Sequence, residues 1–338
     1  MNLFLQIPSL RPGKGVFAMS TYMSNEVWDV VVIGGGLAGL SAAIYLARAS
    51  RRVLVVHSGH SMAVWEPDVQ NYLGFPNGIS GADLLARGRE QAMHYGATLI
   101  VDEVRSLKGH ADDFAMDGLR GSYRGRRVLL ATGLTHLPPD IPGVRECLGR
   151  SLFFCKDCDA YRMQHKRIAI IGWNREAAEY ALAMLAFTPT VCVTTHGREP
   201  AWPDAQGRWL AEYGVPVHRE RIISVDHADG CLHGVTLEGA TRLNLDAMFT
   251  VRGDLYHTQL AHDIGATCDE VGQLVIDHDL QTNVRGVYAA GCVTPANCQM
   301  IIAAGQGAAA AQAINRDLFC ESLERHALPR ARAPQEVG

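Results

Sequence analysis

Two cysteines carry the clearest chemistry in this chain. Cys155 and Cys158 are separated only by Lys156 and Asp157, a spacing that lets both sulfurs meet across one turn and cycle between dithiol and disulfide. Asp159 follows the second sulfur, where a carboxyl group could give or take the proton that thiol exchange moves; a solvated turn carboxylate is the competing reading. The same spacing also serves zinc, but a structural zinc site needs a second Cys or Cys/His pair at metal spacing, and none follows. The chain has nine cysteines. An odd number, mostly scattered singly, suits buried thiols in a reducing compartment better than a disulfide framework.

A second constellation is Gly34-Gly35-Gly36-Leu37-Ala38-Gly39. Gly34 permits a tight turn, Gly36 lets the backbone approach a pyrophosphate, and Gly39 allows close helix packing, while the following helix N-terminus supplies amide donors. The flanks fit: residues 30–33 form an apolar run, residues 37–49 carry apolar residues at helical spacing, and residues 53–56 form a second strand. The acidic residue that usually binds the adenosine ribose is missing, and His57 or Ser58 must stand in for it. A second strand–helix–strand unit spans residues 167–171, 176–186 and 191–195, with Gly172-Trp173-Asn174 at its turn.

These elements imply an α/β chain with two nucleotide-binding, Rossmann-like units, each a three-layer ββα arrangement, the first interrupted by the smaller second. Pro138, Pro139, Pro142 and Gly143 suit a linker. The expected division is an extension at 1–26, the first unit at 27–136, the second at 137–250, a return to the first at 251–320, and a tail at 321–338. Residues 300–318, rich in Ala, read as the last helix. With 31 Lys and Arg against 35 Asp and Glu, no basic excess points to nucleic acid or anionic lipid. The leader's apolar run at residues 3–5 precedes Arg11 and Lys14, unlike a signal peptide, and no later segment is long enough to span a bilayer. A soluble cytoplasmic protein is the expectation.

The ordered series formed by Gly34 to Gly39, Asn71-Tyr72-Leu73-Gly74-Phe75-Pro76, Ala131-Thr132-Gly133, Cys155 to Asp159, and Gly286-Val287-Tyr288-Ala289-Ala290-Gly291 resembles the low-molecular-weight thioredoxin reductases over residues 27–318. That resemblance implies an FAD-dependent disulfide oxidoreductase, usually a homodimer. It places Cys158 nearest the flavin, Cys155 as the attacker of a partner's disulfide such as that of thioredoxin, and Asp159 as the proton shuttle. It also places Gly36, Ala38, Asn71, Val104, Thr132, Gly133, Gln299 and Met300 around FAD, with His57 and Cys292 at contact positions where the side chain is altered.

The family pattern breaks in two places. In the second glycine motif Asn174 replaces the middle glycine, and only Arg198 stands near the strand end where a 2′-phosphate would be held. Specific NADPH binding is therefore expected to be weak or lost, leaving ferredoxin, a small dithiol or a second flavin stacked on Trp173 as the electron partner. Dithiol oxidation by oxygen and a non-catalytic flavin sensor are the other readings. Arg120, Arg124, Arg126 and Arg127 form a candidate basic face for an acidic ferredoxin. After Gly291 the expected Asp is Cys292, and the Arg before Gln299 is Cys298; two buried thiols are expected there in preference to an auxiliary redox pair.

Overall fold

The computed structural model describes residues 22–330, and the side chains from residue 26 onward. The leader and the last eight residues lie outside the described residues. The first unit opens with β1 (Tyr22–Ile33), α1 (Leu37–Arg48), β2 (Val53–His57), α2 (Gly81–His94) and β3 (Thr98–Val101). It continues through a meander, β4 (Val104–His110), β5 (Asp113–Gly118) and β6 (Gly121–Leu130). β1 begins earlier than its apolar run indicates, because Tyr22 and Met23 pair with Gly121 and Ser122 beyond a register shift. A ribbon of β7 (Leu134–His136) and the later β16 (Asp254–Tyr256), paired antiparallel, joins the two units.

The second unit comprises β8 (Leu152–Phe153), α3 (Lys156–Asp159), β9 (Ile168–Ile171), α4 (Arg175–Met184), β10 (Val191–Thr194), α5 (Asp204–Glu212) and β11 (Val217–His218). Its meander is β12 (Ile222–Ala228), β13 (Cys231–Leu237) and β14 (Arg242–Asn244), closed by β15 (Ala247–Thr250). After β16 come α6 (Gln259–Asp263), β17 (Val287–Ala289) and α7 (Met300–Glu324), which return to the first unit.

The first sheet runs β3-β2-β1-β6-β5-β4, and β17 also pairs with β6. It forks there: Ser122 to Gly125 pair antiparallel with β5, whereas Val128 to Leu130 pair parallel with β17. Successive side chains on a strand point to opposite faces, and both faces are covered. Val30, Val32, Val53, Val55 and Leu129 pack beneath α1 and α7, while Val31, Ile33, Val128 and Leu130 pack against Leu107, Phe114 and Met116 of the meander. Near-continuous apolar strands follow from that double burial. The second unit repeats the design. Its parallel sheet β11-β10-β9-β15-β8 sets Ile168, Ile170 and Phe249 under α4 and α5, and Ala169, Ile171 and Met248 against β12 and β13. The expected pair of three-layer ββα units is the observed fold.

Two expectations need correction. α7 continues past residue 318 to Glu324, because Glu321 on its inner face is buried and pairs with Arg127 at 2.9 Å; residues 321–324 belong to the helix and not to a tail. The basic face also dissolves. Arg127 is fully buried, held at 2.5 Å by Asp112 and at 2.6 Å by Asp317. Arg126 bonds Glu321 at 2.8 Å and Arg124 bonds Asp113 at 2.6 Å. Of the four arginines, Arg127 is structural and two more are committed to acids, so they do not make a free cationic surface.

Candidate active site

α1 starts at the first glycine motif, and its cap residue Gly36 contributes no side-chain hydrogen bond. A Cβ on Gly34 would lie 2.1 Å from the Ala131 carbonyl oxygen, and one on Gly39 would lie 2.0 Å from the Gly34 carbonyl oxygen; both glycines are therefore demanded by packing. Gly36 differs. Its nearest neighbour would be Ser61 Oγ at 3.8 Å, so open space faces amides that no side chain satisfies, the arrangement a pyrophosphate needs.

His57 ends β2 beside this turn. The Gly59 amide donates to His57 Nδ1 at 3.2 Å, which leaves Nε2 as the position for the proton of a neutral ring. Burial and the charge of Arg89 both push the His57 pKa down, favouring that neutral donor. Val104 opens β4 at the same end of the sheet, next to Asp102, whose amide donates to the His57 carbonyl at 2.9 Å. Asp102 was missed in the sequence; it is buried and accepts from Tyr123 Oη at 2.7 Å and from the Arg120 amide, fixing the turn between strands.

Thr132 and Gly133 follow β6. Thr132 Oγ1 donates to the His257 carbonyl at 2.7 Å, and Gly133 adopts φ of 70° with nothing within 4 Å of an added Cβ. Gly291 closes over α1: an added Cβ would come within 3.0 Å of Ala38 Cβ. Its amide donates to Gln306 Oε1 at 2.8 Å. Met300 opens α7 and packs with Leu40 and Leu85. Gly36, Ala38, Thr132, Gly133, Gly291, Gln299 and Met300 thus gather where the ends of β1 and β6 meet α1 and α7, with a cradle that suits a dinucleotide.

The cysteine pair faces that cradle. Cys155 and Cys158 are joined as a disulfide, with Cα atoms 5.3 Å apart, so neither sulfur is a free thiolate ligand for zinc. Cys155 caps α3, its sulfur accepting from the Cys158 amide at 3.1 Å. Tyr180 of α4 pins the preceding loop, accepting from the Lys156 amide at 2.8 Å and donating to the Phe154 carbonyl at 3.0 Å. From the first unit, Gln299 reaches across: its Nε2 donates to Cys155 Sγ at 3.1 Å, and its Oε1 lies 3.5 Å from Cys158 Sγ. Asn71 Nδ2 donates to the same Oε1 at 2.9 Å. This bond links Asn71, on an exposed loop, to the cysteine pair through Gln299.

Asp159 is buried and pairs with Arg162. Burial, outweighing Arg162, raises its pKa, the direction that eases proton uptake by a carboxyl group. Glu66, which sequence reasoning did not single out, approaches Arg162 at 3.9 Å. Burial, followed by the charge of Asp159, lifts its pKa to about 7 against the opposing Arg162 and His136. His136 in turn bonds Asp254 at 2.5 Å and stacks on Phe154 with ring centres 4.6 Å apart. No sequence spacing advertises Glu66, because only the approach of the two units buries it.

At the second glycine motif Asn174 caps α4, its Oδ1 accepting from the Ala177 amide at 3.0 Å. The Trp173 ring carries the guanidinium of Arg198 at 4.6 Å and that of Arg252 at 5.6 Å. Arg252 was missed because it arrives from the far end of β15. The stacking surface expected for a second flavin carries these two guanidinium groups. The expectation of two buried thiols after Gly291 is also overturned: Cys292 and Cys298 are half-buried and form a second disulfide, their Cα atoms 5.0 Å apart.

Comparisons with known proteins agree with this geometry. Residues 28–312 match the pyridine nucleotide-disulphide oxidoreductase family. Thioredoxin reductase of Treponema pallidum (strain Nichols) is 32% identical over 298 residues, covering 85% of this chain and 95% of its own. The bifunctional thioredoxin reductase/thioredoxin of Mycobacterium leprae (strain TN) is 31% identical, covering 85% of this chain and 65% of its own. The crystal structure of HlmI superposes with a TM-score of 0.84 at 32% identity, covering 90% of this chain and 96% of HlmI. With a dinucleotide cradle facing a redox disulfide and these relatives, the chain belongs to the pyridine nucleotide-disulphide oxidoreductase family, as a flavoprotein disulfide oxidoreductase of the thioredoxin reductase type whose cofactor is FAD.

Proposed function

We propose that the Cys155–Cys158 disulfide exchanges two electrons at the flavin site and reduces, as a dithiol, a protein disulfide such as that of thioredoxin. The observation that carries this reading is Gln299, an FAD-site residue whose amide touches both sulfurs of the pair. FAD, when bound, supplies a two-electron carrier. In the chain itself, the Gly36 turn and the start of α1 hold its pyrophosphate, His57 and Val104 the adenosine end, and Thr132, Gly133, Gly291, Cys292 and Met300 the remainder of the cradle. Gln299, steadied by Asn71, orients the sulfurs. Asp159, next to Cys158 in the chain, gives and takes the proton that thiol exchange moves, and Cys155, exposed by opening of the pair, attacks the partner's disulfide. The Mycobacterium leprae relative, which by name joins a reductase to a thioredoxin, supports a protein disulfide as the partner.

The electrons come from a source other than NADPH. At the second motif Asn174 takes an α4 amide that a nucleotide phosphate would use, and the Trp173 ring is covered by arginines. A small dithiol would meet the cysteine pair directly and reverse the flow, from the pair to the flavin; with oxygen as the final acceptor the protein would then be a dithiol oxidase in place of a reductase. Ferredoxin has lost the arginine face that first suggested it. Anaerobic stopped-flow absorbance of the FAD-loaded protein separates these. NADPH and NADH are expected to leave the flavin oxidised, while a dithiol bleaches it. Rapid bleaching by NADPH would sink the nucleotide-independent reading and leave a conventional reductase, and bleaching by reduced ferredoxin alone would replace the dithiol.

A further inference from the structure

The Cys292–Cys298 disulfide stands in the loop between β17 and α7, and the proposed electron path through Cys155 and Cys158 does not use its sulfur chemistry. Three observations bear on its purpose. Cys298 immediately precedes Gln299, the residue whose amide contacts Cys155 Sγ at 3.1 Å and lies 3.5 Å from Cys158 Sγ. Cys298 and Gln299 are neighbours in the chain, so the segment that carries the second disulfide leads directly into the side chain that contacts the first.

A staple is not needed to hold this loop. The Thr294 amide donates to the Gly291 carbonyl at 2.9 Å and Thr294 Oγ1 donates to the same oxygen at 2.8 Å. The Ala296 amide donates to Thr294 at 2.7 Å and the Gln299 amide to Asn297 at 2.8 Å. A crosslink closing so short a loop is also the case in which it adds least stability.

Finally, both residues are half-buried, and Pro295 and Asn297 between them are exposed, so the pair lies in a surface loop and not in the core. Cys147 and Cys192, by contrast, are single and buried, and burial raises both their pKa values, which keeps them as inert thiols.

We infer that Cys292–Cys298 is a second redox-active disulfide, charged from the Cys155/Cys158 dithiol. A thiolate of the first pair attacks one sulfur of Cys292–Cys298. That S–S bond breaks, the other sulfur leaves as thiolate, and a mixed disulfide joins the two pairs. The remaining thiol of the first pair then displaces the second sulfur. Two electrons and two protons have passed to Cys292 and Cys298, now a dithiol, and Cys155–Cys158 is again a disulfide that the flavin site can reload. The device stores one extra electron pair beside the flavin.

This inference rests on Cys155 and Cys158 being the flavin-linked pair, so its test reads the two pairs separately. The full-length FAD-loaded protein is titrated anaerobically with dithionite, quenched, and labelled with isotope-coded alkylating reagents, so that mass spectrometry follows the Cys155/Cys158 and Cys292/Cys298 peptides independently. Both pairs are expected to become reduced, with an uptake of about six electrons per flavin, two for each two-electron couple. Cys292→Ser/Cys298→Ser is expected to take up about four. Cys155→Ser is expected to leave Cys292–Cys298 oxidised over the interval in which the wild type reduces it. Cys292–Cys298 remaining oxidised in the wild type while Cys155 and Cys158 are fully labelled would overturn the inference, as would its equally fast reduction in Cys155→Ser. Labelling at neither pair would overturn the proposed function as well. The wild-type labelling stands alone if the double variant does not fold.

Discussion

The two glycine motifs of this chain occupy the same place in the same kind of unit, yet they present opposite surfaces. At the first, Gly36 leaves the start of α1 without a side-chain cap and with open space before it. At the second, Asn174 fills that role with its own carbonyl oxygen, and Trp173 beside it carries two arginines. A helix N-terminus can give its amides to a ligand or to its own side chain, but not the same amide to both. The scaffold is thus duplicated, while only the first copy leaves the start of its helix without a side-chain cap.

The sharpest way to break this comparison is to separate what the first motif does for the fold from what it does for the cofactor. Gly34 has φ of 117° and would place a Cβ 2.1 Å from backbone. Gly34→Ala is therefore expected to destabilise even the cofactor-free protein by at least about 3 kcal/mol, read as a lowered midpoint in chemical denaturation. Gly36→Val should behave differently, since its space is empty of protein atoms. Cofactor-free stability is expected to stay near wild type while FAD affinity falls on the order of 100-fold, about 2.7 kcal/mol, measured by fluorescence titration. An unfolded Gly36→Val, or one that holds FAD normally, would refute the assignment of Gly36 as the pyrophosphate turn.

A third effect belongs to the seam between the two units. Glu66 of the first unit lies near Asp159 of the second, and burial lifts its pKa from 4.5 to about 7. A carboxyl group with a raised native pKa binds its proton more tightly when folded, so it favours the folded state fully below pH 4.5, and that contribution is lost as pH rises through 7. Glu66→Gln removes the titration. Between pH 5 and pH 8 the wild type is expected to lose about 2 kcal/mol relative to Glu66→Gln, measured by denaturation at both pH values. Parallel curves for the two proteins would show that Glu66 is solvated in solution.

Much of this was legible in the residues. The glycine motifs, the apolar strands and the CxxC pair are local patterns, and each fell where its pattern placed it. What the sequence concealed was produced by contacts between distant segments. Arg127 reads in the sequence as one more member of a basic face, and only the arrival of Asp317 and Glu321 on α7 makes it part of a buried ion cluster. Glu66, Arg252 and Asp102 carry no motif at all; they matter because another unit, strand or turn closes on them. Cys292 and Cys298 were visible as a pair, but their joining depended on a loop conformation that spacing alone does not fix.

The smallest expected effect tests the second motif. Replacing an Asn cap by Gly costs only a few tenths of a kcal/mol, so Asn174→Gly should scarcely change stability. It frees the Ala177 amide that Asn174 now holds, yet Trp173 and its arginines stay in place. If the capped amide alone excludes a pyridine nucleotide, Asn174→Gly will let NADPH bleach the flavin in stopped-flow absorbance. If the aromatic and its arginines exclude it too, the variant will remain as unresponsive as the wild type, and adding Trp173→Gly will be needed before any response appears. We expect the second result, because a nucleotide phosphate needs both a free amide and an unobstructed approach to it, and Asn174→Gly supplies only the first.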